Sequence, residues 1–114
     1  MEIRCVAGAA GAPLDDAARF HTRDLPEIEA LMARGGDDLT LVFPPADHAH
    51  RGWRLAVVQE LARRYAPLRI NAVASDDEAA IAATLAYLAR APGVTGQYLP
   101  LDSQGAKAVI VSGA

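Results

Sequence analysis

Cysteine is nearly absent from this chain: Cys5 stands alone, so no intrachain disulfide can form, and a reducing compartment is the simplest setting. Aromatic residues are also scarce, at 5 % of the sequence with one tryptophan, so a core has to be mostly aliphatic, with alanine filling much of the rest. Long apolar runs are missing, and none approaches the roughly 20 residues that a membrane-spanning helix needs. The opening residues, Met1-Glu2-Ile3-Arg4, carry no basic segment leading into an apolar one, so no secretory leader is expected. No block of like charges occurs and the formal net charge is −3, which leaves no electrostatic footprint for nucleic acid or anionic lipid. These absences predict a cytoplasmic protein that engages neither nucleic acid nor membrane.

What is present is a globular composition, 52 % hydrophobic and 22 % charged over 114 residues. A chain of that length forms one domain, residues 1–114, and buries about two-thirds of its unfolded surface, so it needs no metal or disulfide to hold a core. Ile3 to Ala7 is predicted as a short buried strand, followed by the glycine-rich Gly8-Ala9-Ala10-Gly11. The stretch through Thr22 is weakly patterned and reads as loop with a helical turn. Asp24, with Glu27 three residues on, forms a capping box for a helix over 24–34; its stripe is Ile28, Leu31 and Met32, and Gly35-Gly36 ends it.

Leu39 to Phe43 is a second strand, stopped by Pro44-Pro45 because proline cannot continue a ladder. Arg51 to Tyr65 has the strongest helical pattern. Leu55, Val58, Leu61, Ala62 and Tyr65 share one stripe that Trp53, Ala56 and Val57 widen, which implies burial against a sheet and against something else. Leu68 to Ala74 is a third strand with few polar residues, as expected for a strand covered on both faces. Ser75 to Glu78 reads as a second capping box, opening an alanine-rich helix over 79–90. Gln97 to Leu101 is a fourth strand, and Ala106 to Val111 is a further β-prone run. The alternation predicts an α/β fold: a small, mostly parallel sheet of four to five strands with helices on both faces.

Three motifs resemble one family in order and spacing. Leu61-Ala62-Arg63-Arg64-Tyr65-Ala66-Pro67, running into Leu68-Arg69-Ile70-Asn71-Ala72-Val73-Ala74, is similar to the long helix and sixth strand of short-chain dehydrogenases, LAxELAPxxIRVNAVAPG. Asp77-Glu78-Ala79-Ala80 through Tyr87-Leu88-Ala89 resembles the helix that follows. Val94-Thr95-Gly96-Gln97-Tyr98-Leu99-Pro100-Leu101-Asp102 resembles the family's VTGQxLxVDGG ending. Upstream, residues 31–36 and 39–43 resemble the preceding helix and fifth strand, and Cys5-Val6-Ala7-Gly8 faintly resembles the fourth-strand NNAG motif. The resemblance implies strands four to seven of that family, half of a Rossmann-like fold, without strands one to three.

It also implies what chemistry is missing. The family holds NAD(P) on a glycine-rich turn after strand one. Gly8-Ala9-Ala10-Gly11 is glycine-rich, but no helix is expected directly after it, so no cofactor is assigned. Counting back from Leu61, the family's tyrosine acid and its lysine fall on Asp47 and Arg51, and its serine near Pro44 or Pro45. An exposed aspartate, with a pKa of about 3.9, has no proton to give at neutral pH. Proline has no hydroxyl to orient a carbonyl. The segment that covers substrate is also missing, because Ser75 follows Ala74 directly. No catalytic residue is assigned, and the resemblance implies a pseudoenzyme.

Other candidates have two readings. His48 and His50, with Asp47 and His21, are weak metal candidates, and the blander reading is a polar loop at the mouth of the sheet. Asn71 is read as a structural amide and Cys5 as an inert core thiol. Trp53 is core or interface, and interface is favoured because partner surfaces are enriched in tryptophan. In the family the helices equivalent to 24–34 and 51–66 pack against their copies as a four-helix bundle. The resemblance therefore implies a homodimer, or a heteromer with a full-length homologue, with Trp53, Val57, Leu61 and Arg64 at the interface. The first strand is expected to be a bare sheet edge, and 106–111 to extend the sheet or swap onto a partner. Two alternatives stay open: residual binding of a nucleotide or small metabolite at the carboxyl ends of the strands, and an oxidoreductase-derived enzyme using Asp47, His48 and His50.

Overall fold

The computed structural model describes residues 1–6 and 11–101; most of the glycine-rich loop and the run 106–111 lie outside the described residues. Strands β1 (Glu2–Cys5), β2 (Leu39–Phe43), β3 (Ile70–Ala74) and β4 (Tyr98–Pro100) pair in parallel in that order. Helices α1 (Pro13–Arg19), α2 (Leu25–Ala33), α3 (Arg51–Arg64) and α4 (Glu78–Ala89) fill the connections. This is the expected α/β class, half of a Rossmann-like fold.

Period-two alternation sorts the core into two layers. Leu39, Leu41 and Phe43 of β2 and Ile70, Ala72 and Ala74 of β3 meet Phe20, Ile28 and Met32 from the α1–α2 connection and Val57, Val58 and Leu61 of α3. The intervening Val42 and Val73 point to the opposite face, against Leu88 of α4, with Ile81, Val94 and Leu99 around them. Every residue of β2 and β3 is consequently buried. The strand order advances in one direction throughout, yet α4 lies on the face opposite α1–α3. The β3–α4–β4 crossover therefore has the opposite hand to the first two, a departure from the strong preference for right-handed crossovers.

Several local expectations are corrected. The stretch before Thr22 is helical, because α1 runs through a π-helical turn at Phe20–Asp24 into α2 as one rod. Pro26, at the start of α2, has no amide to donate and its ring crowds the preceding turn, and the wider π turn accommodates both demands. Asp24 accordingly has helical backbone angles and caps nothing. Its carboxylate instead lies 3.5 Å from Arg4. The cap of α4 is Asp77, accepting from the amides of Ala79 and Ala80, while Ser75 Oγ accepts from the Asp77 amide. Gly35 ends α2 at φ +77°, the left-handed conformation that glycine adopts without strain.

The strand expected to be buried is not. β1 lies at the sheet edge with Ile3 52 % exposed, and Cys5 is exposed rather than a core thiol. No described helix covers the face to which these two side chains point.

At the amino edge of the sheet, Arg69 ties three elements together. Its amide and Nε donate to the two oxygens of Asp38, and Nη1 donates to the carbonyls of Leu88 and Ala91 at the end of α4. Asn71, buried in β3, donates to Val94 O and accepts from Gln97 N, fixing the loop into β4.

Leu41, fully buried, gives the scale of core packing: Leu41→Ala is expected to cost about 3 kcal/mol in urea unfolding. Asp77→Ala, which removes only a helix cap, is expected to cost about 1 kcal/mol.

Candidate functional site

Ligands of open α/β sheets bind outside the carboxyl ends of the strands. In this chain that region is formed by Val6 after β1, Pro44 after β2, the first turns of α3, and α1 with its π turn. Pro44-Pro45 ends β2, and Asp47 then starts a 3₁₀ turn over His48–His50 by accepting from the Ala49 amide at 3.1 Å. That turn runs directly into α3 and places Trp53 and Arg54 over the strand ends.

Two polar clusters result. In the first, Asp16 of α1 is buried and accepts from the Gly11 amide at 2.8 Å and from Arg19 at 2.6 Å. His50 Nε2 lies 2.8 Å from Asp16 Oδ2, the oxygen that also accepts from Gly11, and His50 Nδ1 lies 3.2 Å from Asp47 Oδ1. Burial alone raises the pKa of Asp16, but the Gly11 amide, the His50 ring and the Arg19 charge outweigh it and hold the carboxyl below the ordinary value of 3.8.

In the second cluster Arg54 is buried against aromatics, with its guanidinium carbon 4.5 Å from the Phe43 ring centroid and 5.6 Å from that of Trp53. Arg54 Nη1 donates to Pro44 O at 2.9 Å and to the Tyr98 hydroxyl at 3.2 Å. Trp53 Nε1 and Arg54 Nε are buried without a hydrogen-bond partner among the described residues. Between the clusters is a void of about 10 Å³ lined by residues that include Val6, Asp16, Asp24, Trp53 and Arg54. That volume takes about one water molecule.

Of the sequence candidates, the structure brings Asp47 and His50 into contact. Asp47, His48 and Arg51 are exposed, while His50 is buried. The loop expected at the sheet mouth is thus a structured turn, and its second histidine belongs to the interior. His21 is drawn elsewhere, with Nδ1 on Ala17 O and its ring against Phe20 and Trp53. Among the described residues no group of three or more His, Cys, Asp or Glu side chains is placed to hold a metal. Trp53, Val57, Leu61 and Arg64 share a different feature: with His21, Leu25, Ala56 and Glu60 they line an open groove of about 320 Å³ beside α3.

Sequence reasoning missed Asp16, Arg19 and Arg54. Asp16 and Arg19 lie in the stretch with no clear pattern. Arg54 had a signal, a cation at a position inside the widened apolar stripe of α3.

A parallel sheet with helices on both faces, one crossover of reversed hand and a glycine-bearing turn into the last strand defines an α/β protein of the dinucleotide-fold type. The family model described as short chain dehydrogenase-like protein matches residues 4–101. The chain belongs to that family. No curated protein and no solved structure matches it.

The sign of the Asp16 shift sets a pH dependence. A carboxyl with a lowered folded-state value stabilises the fold above its unfolded value of about 4, and that contribution is lost as the pH falls through the folded value. Asp16→Asn is therefore expected to destabilise the protein at neutral pH and to flatten the loss of stability below about pH 4. Urea unfolding across that range measures it.

Proposed function

We propose that the protein is a non-catalytic short-chain-dehydrogenase-like module that acts by assembly, pairing α2 and α3 with the same helices of a second copy or of a full-length homologue. The observation that carries this reading is the use made of the positions where the family places its chemistry. Pro44, next to the position of the serine, gives its carbonyl to Arg54. Asp47, at the position of the tyrosine, is a turn cap bound to Ala49 and His50. Arg51, at the position of the lysine, is exposed at the start of α3. None of the three is the serine, tyrosine or lysine that the family uses at these positions.

The crevice supports the same reading. The void at the carboxyl ends of β1 and β2, lined by residues that include Arg54, Trp53 and Asp16, takes about one water molecule, far below the volume of a nucleotide or small metabolite. The groove beside α3 supports assembly. It is lined by apolar Leu25, Trp53, Ala56, Val57 and Leu61, with Glu60 and Arg64 supplying opposite charges within the same lining.

Light scattering of purified protein tests the proposal. A dimer is expected at micromolar concentrations, and Ala56→Arg, an exposed position in the groove, is expected to convert it to monomer without changing its circular dichroism. A wild-type monomer with no affinity for a complete homologue would remove the basis for assembly through this face. Titration with NAD(H) and NADP(H), followed by Trp53 fluorescence, is expected to give no saturable change.

A further inference from the structure

We propose that β1 is a second, self-complementary contact surface, through which two copies pair edge to edge as antiparallel strands centred on Ile3. This rests on the strand itself and is independent of the helical contact above. β1 is an edge of the four-stranded sheet, with no described strand on its outer side. The amides of Glu2 and Val6 donate inward, to Asp38 O and Val42 O. By the alternation of a parallel ladder, the N–H and C=O groups of Ile3 and Cys5 face outward and have no partner strand among the described residues. A parallel sheet normally has both faces covered, yet Met1 and Ile3 are 39 % and 52 % exposed, and Cys5 is exposed beside them.

The sequence of the strand selects the register. About a two-fold axis perpendicular to the sheet, residues of equal facing must stand opposite one another. Centring on Ile3 places Ile3 against Ile3, Met1 against Cys5, and Glu2 against Arg4 twice. Ile3 then forms the hydrogen-bonded pair that its outward-facing amide and carbonyl require, and the Cys5 amides reach the Met1 carbonyls. Glu2 and Arg4 form the closer, non-hydrogen-bonded pair, in which opposite charges attract.

Arg4 already holds Glu27 at 2.7 Å, whereas the exposed Glu2 has no side-chain partner among the described residues. Shifting the centre to Arg4 would set two arginines directly opposite, so the charges disfavour that register. The two carboxyl-terminal ends of β1 would point apart, and the two four-stranded sheets would join as one of eight strands.

Cysteine cross-linking reads both the contact and its register. In a Cys5→Ser background, Ile3→Cys brings two thiols to Cα positions about 5.5 Å apart, within disulfide reach. Native Cys5 pairs would lie about 14 Å apart and out of reach. Ile3→Cys is expected to form a disulfide dimer at least about tenfold faster than Leu14→Cys, a highly exposed control on α1, because the paired strands raise the effective thiol concentration. Ile3→Lys, which leaves the core untouched, is expected to lower the mass seen by light scattering at high protein concentration. Addition of Ala56→Arg leaves the Ile3→Cys rate unchanged, separating this contact from the helical one. Equal rates for Ile3→Cys and Leu14→Cys, faster cross-linking through Cys5, or an unchanged mass for Ile3→Lys would overturn the proposal.

Discussion

The ladder between β2 and β3 contributes five residues from each strand, and all of them are buried. A parallel pair buried on both faces needs helices above and below it, and each connecting segment can supply a helix to one face only. The first two crossovers both go to one side, so the second face depends wholly on α4 and on the reversed hand of its connection. Burying the apolar side chains of these two strands contributes roughly 1.5–3 kcal/mol for each large one. The remaining elements are held by reference to this pair: β4 through Asn71 and its loop, α4 through Arg69, and β1 through its ladder with β2. β1 is outside the double cover, which explains why an apolar edge strand remains half in water.

At the carboxyl edge, the residues occupy what would otherwise be a crevice. Asp16, His50, Asp47 and Arg19 close one side, and Arg54 packs between Phe43 and Trp53 on the other. Of these, Asp16, His50 and Arg54 are buried, and removing the partner of a buried charge destabilises strongly because the charge is left without compensation. The arrangement therefore resists opening. The cluster joins helix α1 to the start of α3.

Much of this was legible in the amino-acid pattern. The α/β class followed from strand and helix periods in alternation, and the family from three motifs in their order over residues 55–102. The helix around α3 and the strands β2 and β3 were readable because apolar positions recur regularly there. The misreadings have physical causes. Residues 12–22 hide a helix because its apolar face is thin and a proline interrupts the rod, so the π turn leaves no periodic trace. Cys5 and Ile3 look like core residues in composition, and only the absence of a covering element makes them surface. Asp24 and Glu27 match a capping box in spacing, but the helix had already begun eleven residues earlier, and their carboxylates were needed by Arg4. The partnership of Asp16 with His50 spans 34 positions and carries no local signal.

Trp53 is a wall common to two compartments. It lines both the small void over the strand ends and the groove beside α3. A copy seated in that groove would press on the same ring that Arg54 packs against and that lines the void with Asp16. Were such pressure to alter the surroundings of Asp16, the effect would be reciprocal: whatever acid did to association, association would do in equal measure to the titration of that carboxylate.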